Sequence, residues 1–178
     1  MQARHSPPCA SAILLLFGQA PRSPGVAFLE RQVAHINMRI NDHADQNMLA
    51  LVCSPDMCGE HQTRSGTTLV RKTAGQVTVI PRGPVPEMHL VSQAELVYCT
   101  FDEHFIERIT EDAKDLRPER LVFRSGLRDR SLKQLMQMLV AEFDADNPTG
   151  RIYAETLAEA LALRAPESSQ SPSSLDIV

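Results

Sequence analysis

The stretch that decides the fold is Gly75-Gln76-Val77-Thr78-Val79-Ile80-Pro81-Arg82-Gly83-Pro84-Val85-Pro86, near the middle of a chain of 178 residues. Gly75 permits the positive φ of a tight turn. Val77, Val79 and Ile80 supply a β-branched strand, and Pro81-Arg82-Gly83 then sets one φ and frees another. The strand is expected to stop and reverse at Pro81. A turn, a buried strand and a second turn in so short a span suit a small antiparallel barrel better than a parallel sheet, whose crossovers each take about a dozen residues or more.

On the amino-terminal side, Val26 and Phe28 alternate with smaller neighbours, and Ile36, Met38 and Ile40 alternate with Asn37 and Arg39. That alternation places three apolar side chains on one face of a strand. Residues 48–53 form a continuous apolar run, as in a strand buried on both faces. Further strands are predicted over residues 67–72, 76–80, 87–91 and 95–101, separated by Ser65-Gly66, Ala74-Gly75 and Ser92-Gln93.

After Phe101 the period changes. Asp102 can cap a helix whose apolar positions are Phe105, Ile106 and Ile109. A link containing Pro118, then residues 121–123, leads to a cleaner helix capped by Asp129 or Ser131. Its stripe of Leu132, Leu135, Met136, Leu139, Val140 and Phe143 follows the steps i, i+3, i+4, i+7, i+8 and i+11. The turn Asp146-Asn147-Pro148-Thr149-Gly150 breaks it, and residues 151–164 form a third helix with Tyr153, Leu157, Ala160 and Leu161 on one side. The last two helices read as an antiparallel hairpin. The chain thus divides into an amino-terminal extension (1–24), a barrel with one short helix (25–128), a helical hairpin (129–164) and a Ser- and Pro-rich tail (165–178) whose composition does not pack. The fold class is α+β.

With 43% apolar residues the chain can bury one core but not two full domains. The formal charge of −4 and pI near 5.8 give no basic field for a phosphate backbone. Six Phe, two Tyr and no Trp leave little for base stacking, so nucleic acid is not a direct partner of this polypeptide. The amino end carries Arg4, an apolar run over 12–17 and Gly18-Gln19-Ala20, the outline of a secretory signal, but Pro21 argues against cleavage. The run is also far short of the ~20 residues that span a bilayer. A disordered extension or a start assigned too far upstream is expected, with the protein in the cytoplasm and not in a membrane.

Cys9, Cys53, Cys58 and Cys99 lack the regular framework of a disulfide-stapled domain and read as small buried thiols of a reducing compartment. Cys53, Cys58 and His61 can be drawn as three zinc ligands, yet their spacing is wider than structural zinc sites use and no fourth ligand presents itself. His43, with Asp42 and Asp45, could join His61 in a His and carboxylate cluster suited to a divalent metal, set against an ordinary polar loop. No metal and no other cofactor is expected. His89 and His104 read as partly exposed strand and helix residues, and Ser65-Gly66 and Ser125-Gly126 as turns, so no nucleophile with an orienting base emerges.

Barrel-like strands followed by Phe101-Asp102-Glu103-His104-Phe105, Gly126-Leu127-Arg128-Asp129 and Gly150-Arg151-Ile152-Tyr153-Ala154-Glu155-Thr156-Leu157-Ala158 resemble, from about Gly25 to Arg164, the amino-terminal half of AraC-type transcriptional regulators. The Gly-Arg-Ile-Tyr-Ala-Glu entry into the last helix carries most of that resemblance. It implies a cupin-like barrel, with Gly75, Pro81 and Gly83 as its fold motif, that senses a small-molecule effector or mediates dimerisation. In cupins the position of Pro86 often holds a metal-binding His, so the resemblance implies a sensor and not an enzyme. It also implies a DNA-binding part with two helix-turn-helix units, which residues 165–178 are too few to form. A truncated product unable to bind DNA alone is therefore expected, ahead of an excised sensor half or a stand-alone domain, acting as a homodimer or as a mixed dimer with a full-length relative. The stripe of Leu132, Leu135, Met136, Leu139, Val140 and Phe143 is the dimerisation candidate. Its competing use is packing on its own barrel, because both bury the same side chains. The competing function is a small metal-dependent cupin enzyme using His43, Asp45 and His61.

Overall fold

The β-branched and apolar runs become strands in the computed structural model, which describes residues 28–37, 39–40, 43–63, 66–112, 121–146 and 148–167. In chain order these are β1 (Phe28–Ala34), β2 (Arg39–Ile40), β3 (His43–Ala44), β4 (Asn47–Val52), β5 (Asp56–Thr63), β6 (Gly66–Thr73), β7 (Val77–Ile80), β8 (Gly83–Pro84), β9 (Met88–Leu90), β10 (Ala94–Phe101), α1 (Glu103–Asp112), β11 (Arg124–Leu127), α2 (Arg130–Asp144) and α3 (Arg151–Glu167). The strands pair antiparallel in a five-stranded sheet β1-β10-β4-β7-β11, a four-stranded sheet β2-β9-β5-β6 and a small sheet β3-β8. The fold is α+β, as the sequence predicts.

Alternation along the strands divides the five-stranded sheet into two apolar faces. Leu49, Leu51, Val77, Val79, Val97, Cys99 and Phe101 pack with α1, α2 and α3. On the opposite face, Val52, Ala94 and Leu96 meet Met57, Met88 and Leu90 of the four-stranded sheet. The result is three layers, helices on sheet on sheet, with two separate cores. Leu132, Met136, Leu139 and Leu161 are each at most 1% exposed, and such burial contributes about 1.5–3 kcal/mol per side chain.

The deciding stretch behaves partly as expected. Gly75 has φ 87° and Gly83 φ 108°, and β7 ends at Ile80. The chain does not reverse onto β7, however: β8 crosses to pair with His43 and Ala44 of β3, while β7 lies between β4 and β11. Nor does the shell close into a barrel. Pro81, Pro84 and Pro86 bring no N–H to a ladder, so pairing there shrinks to two residues and the sheets stay separate. The strand expected over 36–40 is interrupted by a turn in which Asn37 takes φ 67° and Ile36 is exposed. Strands β5 and β11 were not expected at all.

In the helical part, Asp102 accepts the His104 N–H at 2.8 Å. Asp129 is the cap of α2 and accepts from Ser131 N and Leu132 N at 2.8 and 3.0 Å. Its second oxygen holds Arg164 of α3 at 3.2 Å, which joins the start of α2 to the far end of α3 and makes the pair an antiparallel hairpin. Thr149 closes the connection through Glu142, its hydroxyl donating at 2.6 Å. Where the expected helix stops at Arg164, α3 runs on to Glu167 and Ala165 is buried. Its buried line is Ala154, Leu157, Ala158, Leu161, Ala162 and Ala165, one position away from the expected Tyr153 side. No helix of the described residues is long and apolar enough to cross a membrane. The amino-terminal extension with Cys9, Val26, Met38, Asp42, Ser65, Pro118, Asn147 and residues 168–178 lie outside the described residues.

Candidate functional site

The space between the two larger sheets holds the polar chemistry of the molecule. Along β5 the buried positions are Met57, Gly59 and His61, and β6 contributes Lys72 to the same face, directly across from Met57. The alternation that buries apolar side chains therefore also carries a His and a Lys inward. Lys72 is 3% exposed, and its ammonium donates to Thr78 Oγ1 of β7 at 3.0 Å, bridging the two sheets. Among the described residues no carboxylate pairs with it. Burial alone pushes its pKa down to about 8, so the ammonium stays charged at pH 7 and uncompensated.

His61 is 1% exposed, and neither ring nitrogen has a hydrogen-bond partner. Burial, reinforced by the Lys72 charge, drives its pKa down to about 4, so the ring is neutral at physiological pH. Its edge meets Phe123 at 6.1 Å between ring centroids. Two residues on, Ser125 Oγ is buried without a partner. Gly126 takes φ 68° at a break in the β11–β7 register, a conformation L side chains rarely adopt. A Cβ there would stand 3.8 Å from Lys72 Cγ. Gln76 fastens this bulge, donating to Gly126 O at 2.8 Å while accepting the Thr73 N–H at 2.6 Å. The segment 123–126 thus lies over both His61 and Lys72, and Asp129, the cap of α2, follows shortly after.

The residues singled out from sequence do not come together. His61 lies in the interior, whereas His43 is exposed on β3 and Asp45 is exposed in the turn that follows. Cys53 is exposed beyond β4, and Cys58 stands on the face of β5 opposite His61. Among the described residues no group of three His, Cys, Asp or Glu side chains is placed to hold a metal ion. The dimerisation stripe is largely used by the chain itself: Leu132, Met136 and Leu139 are core, Leu135 and Val140 pack against it, and Phe143 is 36% exposed. His89 faces Glu60 at 3.6 Å and His104 faces Glu107 at 3.3 Å. Among the described residues shallow clefts open on the outside. One, of about 190 Å³, contains the Arg39–Glu87 and His89–Glu60 pairs, and its charges are already matched.

Lys72, Thr78, Phe123 and Ser125 were missed from sequence. The available signal was a lysine sharing a strand face with Val70 just before the Gly75 turn, a position whose parity points inward.

No family model and no curated protein matches the sequence. The fold is similar to that of apo ToxT from Vibrio cholerae strain SCE256, with TM-score 0.53 and 10% identity over 78% of this chain and 53% of that one. It is also similar to ToxT from Vibrio cholerae O395 bound to (E)-4-(8-methylnaphthalen-1-yl)but-3-enoic acid, with TM-score 0.53 and 7% identity over 80% and 57%. The region matched is the amino-terminal domain of an AraC-family regulator. An oxalate decarboxylase from Bacillus subtilis overlays with TM-score 0.34 and 13% identity over 48% and 23%. The chain spans about half the length of the ToxT structures it matches.

Proposed function

We propose that this chain is the effector-sensing half of an AraC-like transcriptional regulator, a cytoplasmic protein that reaches DNA only through a separate DNA-binding unit. The observation that carries the reading is the interior between the sheets, where Lys72, His61 and Ser125 keep unmet polar capacity inside a fold of the ToxT amino-terminal kind. Buried polar groups are normally partnered, and a small molecule is the partner such an interior can take. ToxT has been solved with an organic acid bound, which supports ligand binding in this fold. The route from site to output is short: Phe123 and Gly126 touch the interior, and Asp129 caps α2. A ligand that shifts the 123–126 segment would move the helical hairpin with it, biasing a dimer between two arrangements. That dimer, of two copies or with a full-length relative, would use the apolar side chains that α2 leaves at the surface, Met138 and Phe143.

A thermal-shift titration of the purified chain with organic acids, alcohols, sugars and amines tests the reading. One class should raise Tm saturably, by about 5–10 °C at a hundredfold excess over Kd. A melting curve that no class displaces overturns it.

A further inference from the structure

Strand β6 closes one side of the four-stranded sheet, and among the described residues its sole strand neighbour is β5. Which of its backbone groups go unused follows from β5. Cys58 O accepts from Val91 N at 3.0 Å and Gln62 N donates to Glu87 O at 3.1 Å, so the even-numbered residues of β5 turn their backbone groups to the β9 side. Alternation gives the odd-numbered ones, Met57, Gly59 and His61, to their β6 partners Lys72, Val70 and Thr68. On β6 itself, Thr67, Leu69 and Arg71 therefore aim their N–H and C=O groups away from the sheet. Thr73, next in that series, is engaged by Gln76, whose side chain accepts its N–H at 2.6 Å and whose own N–H donates to its carbonyl at 3.1 Å. The other sheet edges are blunted: β2 has 2 residues, β11 has 4 with a break in register, and β1 carries Glu30 and Arg31 in its middle. By contrast β6 has 8 residues, is rich in Thr, Val and Leu, and leaves Leu69 67% exposed.

From this edge we infer that β6 pairs antiparallel with β6 of a second copy of the chain, about a two-fold axis through Leu69. The inference is independent of the sensing reading. In that register Thr67 meets the partner's Arg71, Leu69 the partner's Leu69, and Arg71 the partner's Thr67, so all three outward residues find partners among themselves. An axis through Arg71 would set two like charges opposite each other. The Leu69 axis does not, and the Arg71 guanidinium is already held within its own chain, its Nε donating to Asp56 at 2.8 Å. Lys72, the other charge of the strand, points between the sheets to Thr78 and stands opposite the partner's Gly66, which has no side chain to oppose it. The two Leu69 side chains cover each other on the outer face, and Thr68 adjoins the partner's Val70 on the inner one. The product is one continuous sheet through two copies, on the side of the central sheet away from α2, so a chain can make this contact and the α2 contact at once. A seam of one strand pair lies below the about 1,200 Å² of stable interfaces, which places its Kd on the order of 100 µM.

Amide hydrogen exchange and sedimentation equilibrium of the full chain, from about 10 µM to about 1 mM, test the pairing. On concentration the Thr67, Leu69 and Arg71 amides should exchange at least about fivefold more slowly, while Thr68 and Val70, already bonded to β5, should not change. Leu69→Pro removes an N–H that the β5 ladder does not use, so it should keep the fold and weaken association at least about tenfold. Leu69→Lys leaves every backbone group in place and sets like charges on the axis, so it should weaken association equally and carries the test if the proline variant has a lowered Tm. Exchange at Leu69 and Arg71 that ignores concentration would overturn the proposal. So would association that persists in Leu69→Pro and Leu69→Lys, whether or not Phe143→Asp abolishes it.

Discussion

His61 is the residue whose burial has the plainest thermodynamic consequence. Its ordinary pKa is near 6.5, and burial beside Lys72 lowers it to about 4. Between those values the unfolded chain takes up a proton that the folded chain refuses, so stability falls as pH drops from 6.5 towards 4. The gap corresponds to about 3 kcal/mol for this one ring. Urea unfolding at pH 7, 5.5 and 4.5 should show that loss. The variant His61→Leu should unfold with a visibly shallower dependence over the same window, and an unchanged slope would mean that the ring is hydrated or partnered. The same residue marks how far sequence reading reaches. A His in a polar stretch reads as a metal ligand, and its type was informative, but its company was not: His43 and Asp45 lie outside, while Lys72 and Phe123, remote in sequence, lie against it. Which side chains share an interior depends on strand register, and a register error of one residue turns a whole face outward.

Among the elements, the helical hairpin hangs on one carboxylate. Asp129 accepts two N–H groups at the start of α2 and one Arg164 N–H from the end of α3, so Asp129→Ala removes a cap and an inter-helix tie together. The loss should be about 1–2 kcal/mol in urea unfolding, and hydrogen exchange should quicken first in the opening turn of α2. Equal protection in both proteins would show that packing alone sets the hairpin. This cap was legible, because an Asp before a regular apolar stripe is a strong local signal, and so were β4, β7 and β10, whose apolar and β-branched runs leave few other readings. Strand β5 was not. Its inward side is Met57, Gly59 and His61, and its outward side includes Cys58, Glu60 and Gln62, none of which favours a strand by itself. Only pairing with β6 and β9 makes it one. Gly59 contributes there by its smallness, since a Cβ would come within 3.2 Å of His89 O. Likewise α3 buries a line of alanines, side chains too small to outweigh Tyr153 and Ala160 in a reading of apolar positions, though their size lets α3 pack closely on α2.

For the whole molecule, the three-layer arrangement decides what a partner can use. Covering one face of the central sheet with α2 spends Leu132, Met136 and Leu139 on the chain's own core, which leaves Phe143 and Met138 at the surface. A stripe shared between copies and a stripe packed inside one copy predict different fates for substitution. Leu139→Asp places a carboxylate where 1% of the side chain is exposed and should unfold the protein, with the loss of several kcal/mol expected for an unpaired buried charge. Phe143→Asp should leave the circular dichroism and Tm close to those of the parent chain, while sedimentation velocity shifts from a dimer to a monomer. A folded, monomeric Leu139→Asp variant would place the seam in the core stripe instead. A parent chain that already sediments as a monomer at all concentrations would remove dimerisation from the proposed function, and the sensing interior would then have to act through the hairpin of a single copy.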